Sequence, residues 1–111
     1  MSELSRLKCV ACRGGEPTVT SEELREYLPQ IPEWRVIEVD GVQRLERQFK
    51  FKDFAQALAF VNRVGSAAEE EDHHPRIVLE WGRVGVQWWT HVIKGLHRND
   101  FIMAAKTDQL L

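Results

Sequence analysis

The chain has 111 residues, 43% of them hydrophobic and 29% charged, with a formal net charge of -2. That is the balance of one globular domain with a single thin core. The charge gives no bulk attraction to nucleic acid, and no apolar stretch approaches the roughly 20 residues of a membrane span.

The N-terminal stretch MSELSRLKCVACRGG lacks the apolar core of a signal peptide, so the cytoplasm is the expected location. Cys9 and Cys12 form a C-x-x-C pair, but RGGEP follows, which is loop material rather than the helix a redox motif opens. A zinc site would need two further ligands, and the histidines lie more than sixty residues away. Residues 1–17 therefore read as a loosely ordered segment carrying two thiols, with no metal. Thr20 and Glu23 fit a capping box, and Leu24, Tyr27 and Leu28 share the face of the helix that follows. Pro29 and Pro32 stop it.

The run WRVIEVDGVQRLERQF reads as a hairpin around Asp40-Gly41, a pair suited to a type I′ turn. Arg47 interrupts its alternation by sharing a face with Leu45 and Phe49. From Lys52 the period becomes helical. Phe54, Leu58, Val61 and Ala68 mark a stripe that Ala57, Phe60 and Val64 widen, in a helix ending near His74 because Pro75 follows. IVLEW and VGVQWWTH then make a second hairpin. With Gly82-Arg83 as its turn, Trp81 faces Val84, Leu79 faces Val86 and Ile77 faces Trp88, giving one apolar face. Trp89 falls on the other face. A last helix starts near Arg98, with His97 before it read as a cap or surface residue, and its apolar residues Phe101, Ile102, Met103, Ala105 and Leu110 point to several sides. Such a helix is expected to pack on its own sheet and on another subunit. The order α-β-β-α-β-β-α predicts an α+β two-layer domain: a four-stranded antiparallel sheet with helices on one face.

The same register extends to bring His91 opposite His74, with His73 beside it and the acids EEED arriving from the preceding helix. Glu69 and Asp72, three apart, are expected on one helical face. Histidines beside carboxylates suit proton transfer near neutral pH. Adjacent histidines point apart and cannot readily share a metal, and no familiar metal-binding spacing occurs. Acid–base chemistry is thus the reading favoured by the residues. Asp100, in the first turn of the last helix, also complements the helix dipole.

Glu69, His73-His74-Pro75, Trp81, His91 and Asp100 together resemble the signature of pterin-4a-carbinolamine dehydratases. The segments IPEWRV, Phe49 to Ala57 (F-x-F-x-D-F-x-x-A), KGLHRNDF and the N-terminal C-x-A-C are similar to bacterial members, so the resemblance spans nearly the whole chain. It implies dehydration of a 4a-hydroxytetrahydropterin to quinonoid dihydropterin, which recycles the cofactor of aromatic amino-acid hydroxylases without any metal, nucleotide or redox cofactor. By the same resemblance His73 and His91 would exchange protons with the 4a hydroxyl and N5, and His74 would bind and orient the ring. Glu69 and Asp72 would set histidine protonation or bind ring amino groups, with Pro75, Thr90 and Asp100 as further substrate-site residues. It also implies a homodimer or homotetramer, and a hydroxylase as a candidate partner. The rival reading is a binding or regulatory module, since animal members assist a transcription factor. A third is a metal-binding protein using Cys9, Cys12 and histidines.

Overall fold

The computed structural model describes residues 4–10 and 16–111. The first helix, α1 (Ser21–Tyr27), opens with the predicted capping box: the Thr20 hydroxyl accepts from the Glu23 N–H, and the Glu23 carboxylate accepts from the Thr20 N–H. It passes into a 3-10 turn at Leu28–Gln30, where Pro29 removes a helix donor. Strands β1 (Arg35–Val39) and β2 (Val42–Lys50) pair through Val39 and Val42. Between them Asp40 and Gly41 both take positive φ, as a type I′ turn demands. Helix α2 (Phe54–Glu71) starts on the Asp53 side chain, which accepts from the Gln56 N–H. Strands β3 (Arg76–Glu80) and β4 (Arg83–Trp88) and helix α3 (Arg98–Asp108) complete the chain.

The four strands form one antiparallel sheet in the order β1-β2-β4-β3, so the architecture is the predicted α+β. Leu45, Phe49, Val84, Val86 and Trp88 are buried on one face, and Phe60 of α2 packs its ring 4.7 Å from that of Phe49. Arg47, the interruption on this face, is accommodated by an ion pair. Its guanidinium donates to the Asp108 carboxylate at 2.7 Å, which also accepts from the Trp34 indole at 2.8 Å. Burial raises the Asp108 carboxyl above its ordinary pKa despite these partners.

Several expectations need correction. The second hairpin turns at Trp81-Gly82, because Glu80 pairs with Arg83. Ile77 therefore faces Val86 and Leu79 faces Val84, two positions from the expected register. A shift of two keeps every side chain on its face, so the apolar pattern could not distinguish the registers. It does move Trp81 out of the core, to 75% exposure at the turn. On α2 the buried stripe is Ala57, Phe60, Val64 and Ala68, with Phe54 and Leu58 exposed. The helix ends at Glu71 rather than near His74.

The last helix needs no second subunit for its cover. Phe101, Ile102, Met103, Ala104 and Ala105 are all buried by this chain. Tyr27 packs tilted against Phe101, with ring centroids 5.2 Å apart and planes 44° to each other. The N-terminal segment is part of this cover. Leu4 belongs to the buried cluster, and the Ser5 carbonyl accepts from the Lys106 ammonium at 3.0 Å. Of the segment expected to be loose, residues 4–10 are thus docked. Cys12 lies outside the described residues. Among the described residues no helix is long and apolar enough to cross a membrane.

Candidate active site

The end of α2 creates the site. Asp72 takes a left-handed conformation (φ 50°), and the His73 N–H then reaches back to the Ala68 carbonyl at 3.1 Å. The Asp72 N–H reaches Glu69. This is the Schellman arrangement usually closed by glycine, with an aspartate tolerating the left-handed position. The sharp turn sends His73 and His74 to different surroundings. It also removes Asp72 from the helical face it was expected to share with Glu69.

His73 turns inward. Its ring is stacked on Trp88, with centroids 5.8 Å apart and an interplanar angle of 6°. Its Nε2 lies 2.6 Å from Asp100 Oδ1. Asp100 is fully buried (0% exposed). Its other oxygen accepts from the Thr90 hydroxyl at 2.8 Å and from the His97 N–H at 2.9 Å. The carboxylate also closes a capping box with His97, whose Nδ1 accepts from the Asn99 N–H. His97 is thus the predicted cap. Against a carboxylate acceptor, the His73 nitrogen facing Asp100 is the donor. Helix α3, strand β4 and the end of α2 all contribute to this arrangement. Trp88 is fixed in turn by its indole N–H, which donates to Thr107 at 3.1 Å.

His74 turns outward. It pairs with Glu69 at 2.7 Å, but the two side chains are 53% and 79% exposed. Such a pair contributes at most about 1 kcal/mol. His91 does not extend β4, which stops at Trp88. It begins a 3-10 turn (His91–Ile93) inside a loop closed by the bridge between Thr90 and Gly95. Gly95 is needed there, because a Cβ would lie 2.6 Å from the Thr18 methyl. The His91 ring packs 4.4 Å from Trp89, over which the Arg44 guanidinium lies at 3.8 Å.

An open cleft of about 540 Å³ joins these groups. His73, His74 and Asp72 line it after α2, and Thr90, His91 and Val92 after β4. Glu71 and Asn99 contribute from the adjacent helices, and Cys9 and Val10 from the N-terminal segment. The three histidines therefore do converge, although the strand ladder does not bring them together. Glu69, Pro75 and Asp100 do not line the cleft. Sequence reasoning did not place Val10, Val92 or Asn99 at the site; Cys9 was read as a thiol on a loose segment, and Glu71 only as part of the acid run. Of Val10, Val92 and Asn99, Asn99 carried a signal, as a polar residue beside Asp100 where the helix is otherwise apolar. Burial and the nearby Glu71 carboxylate push the Cys9 thiol up to about 12, so it stays protonated. Among the described residues no group of three or more histidines, cysteines and acids is placed to hold a metal ion.

The family model described as pterin 4 alpha carbinolamine dehydratase matches residues 17–110. A protein of Syntrophotalea carbinolica is 60% identical over 111 residues, covering 100% of this chain and 99% of its own length; one of Nitrosococcus oceani is 59% identical, with 100% and 98% covered. Both bear the name "Putative pterin-4-alpha-carbinolamine dehydratase". A crystal structure of a transcriptional coactivator/pterin dehydratase from Brucella melitensis superimposes with a TM-score of 0.75 at 35% identity, over 85% of this chain and 98% of that one. A pterin dehydratase-like protein identified as a RuBisCO assembly factor in the alpha-carboxysome gives a TM-score of 0.61 at 25% identity, over 70% and 88% of the two chains. The chain belongs to the pterin-4-alpha-carbinolamine dehydratase family.

Proposed function

We propose that the chain dehydrates a 4a-hydroxytetrahydropterin to quinonoid dihydropterin and water. The observation that carries this reading is the buried Asp100–His73 couple, at 2.6 Å, behind a cleft that His74 and His91 also line. The reaction breaks the bond from C4a to its hydroxyl and removes the proton on N5. An acid must protonate the departing hydroxyl, and a base must take the N5 proton. In our reading His73 and His91 perform these two transfers, their roles exchanging with the configuration at C4a. Asp100 acts through His73, fixing its tautomer and orientation. Thr90 shares that carboxylate and offers the substrate a polar wall. His74 binds and orients the ring. Asp72 faces the ring's amino groups, while Glu69 holds His74 and Pro75 shapes the backbone between the histidine pair and β3. Acid–base assistance of this kind contributes about 10²–10⁴-fold. No metal or redox cofactor enters the scheme.

We place the protein in the cytoplasm, recycling the pterin of an aromatic amino-acid hydroxylase, and assembled as a homodimer or homotetramer. The exposed Phe54 and Leu58 on α2 would give such an assembly apolar surface to bury.

To test the reaction, a hydroxylase would generate the 4a-hydroxy intermediate, and its ultraviolet decay would be followed with and without the protein. Faster decay supports the dehydratase; unchanged decay with folded protein rejects it. A second reading, a binding protein without catalysis, is favoured by the assembly-factor neighbour. It predicts unchanged decay and a function that survives His73→Ala.

A further inference from the structure

The family match begins at residue 17, yet two residues of the cleft come from before it. Residues 4–10 are held along their length by four different anchors. Leu4 sits in the core. The Ser5 carbonyl meets Lys106. The Cys9 N–H donates to the Glu71 carboxylate at 2.8 Å. Asn99, buried in the first turn of α3, holds Val10 from both sides. Its side-chain oxygen accepts from the Val10 N–H at 3.1 Å, and its amide donates to the Val10 carbonyl at 2.6 Å. An asparagine used in this way acts as one more strand partner for an isolated piece of backbone.

Two features suggest that this docking serves the cleft. Glu69, Glu70 and Glu71 crowd the negative end of the α2 dipole, where carboxylates are unfavourable by about 0.3–1 kcal/mol each. Glu71 gives one of its oxygens to the Cys9 backbone N–H. In addition, the cleft wall is mostly histidine, acid and amide. Val10 and Val92 supply its branched aliphatic side chains among the described lining residues, and Val10 is 50% exposed there. A flat heteroaromatic ring has polar edges and apolar faces. The histidines and acids suit the edges, and the valines suit a face.

Resting on the dehydratase reading, we propose that residues 4–10 form a strap supplying an apolar contact to the bound pterin through Val10, and that Asn99 positions this strap. The contact touches no reacting atom, so it strengthens ground state and transition state alike. Its loss raises KM and leaves kcat nearly unchanged. Cys9, protonated and partly buried, takes no chemical part.

The test measures KM and kcat for 4a-hydroxytetrahydropterin dehydration with wild type, Val10→Ala and Asn99→Ala, together with backbone hydrogen exchange of the 4–10 peptide. Val10→Ala, at a half-exposed side chain, keeps the fold even if Asn99→Ala does not. The expected result is a KM raised about three- to tenfold in Val10→Ala, with kcat within about twofold. Asn99→Ala is expected to raise KM at least as much and to speed exchange of the strap peptide while the sheet peptides keep their protection. Turnover by wild type with KM unchanged in Val10→Ala overturns the strap and leaves the dehydratase standing. A fall in kcat at constant KM overturns it equally. Absence of turnover in wild type removes the dehydratase reading, and the strap with it.

Discussion

His73 and His74 are neighbours in sequence and each bonds a carboxylate, yet their surroundings differ. His73 is 11% exposed and meets a fully buried carboxylate whose other oxygen is held by Thr90 and His97. His74 meets Glu69 in open solvent. The bonds differ by only 0.1 Å, 2.6 against 2.7 Å, so length does not separate them. What separates them is what surrounds the acceptor. A carboxylate saturated by fixed donors and shut off from water cannot turn away, and it imposes one orientation on its histidine. A solvated glutamate on a helix end exchanges its histidine for water at almost no cost. In the proposed reaction the buried couple would direct a proton, whereas the exposed pair is held only loosely.

The sharpest way to break this contrast is to remove the buried acceptor. Asp100→Ala leaves His73, the Thr90 hydroxyl and the His97 N–H without their partner, and is expected to cost about 3 kcal/mol of stability in urea unfolding. Turnover should fall along with it, and a stability loss below about 1 kcal/mol would contradict the structural account of Asp100. Next in size among binding-neutral changes, His91→Ala should lower turnover by about 10²–10⁴-fold while leaving the unfolding midpoint nearly unaltered, because His91 is exposed. Near-normal turnover would remove it from the proton transfers.

Cys9 tests the wall of the cleft by pH. Its folded-state pKa of about 12 exceeds the ordinary 9.0. The thiol's contribution to stability is therefore complete below pH 9.0 and is lost as pH rises toward 12. In a Cys12→Ser background, alkylation of Cys9 by iodoacetamide at mild alkaline pH should run at least about tenfold slower than in unfolded protein. Equal rates would mean that the segment is not docked. The smallest effect belongs to the exposed pair. Glu69→Gln should change stability by less than about 0.5 kcal/mol, measured by the same urea titration.

Much of this contrast could be read from residues alone, but not its deciding part. The Asp40-Gly41 turn, the Thr20–Glu23 cap and the His97 cap were legible because each rests on local backbone chemistry. The convergence of His73, His74 and His91 was legible too, though by a ladder that the chain does not follow. Trp81 misled because a large aromatic carries no turn signal, and because a register shifted by two positions preserves both faces. The apolar last helix suggested a second subunit. The cover includes residues 4–10 of the chain itself, whose docking depends on a side chain about ninety positions away, at Asn99. The family resemblance suggested Asp100 as a site residue, while its own position pointed to the helix dipole. That Asp100 would be wholly buried, serving His73 instead of lining the cleft, depends on how α3 meets β4, which no local pattern encodes.

The most direct test is the dehydration rate of His73→Ala and His74→Ala measured side by side under saturating substrate. The account predicts a loss of about a hundredfold or more for His73→Ala and a much smaller loss in kcat for His74→Ala, with its main effect on KM. Equal losses, or a larger kcat loss for His74→Ala, would contradict the assignment of proton transfer to the buried couple.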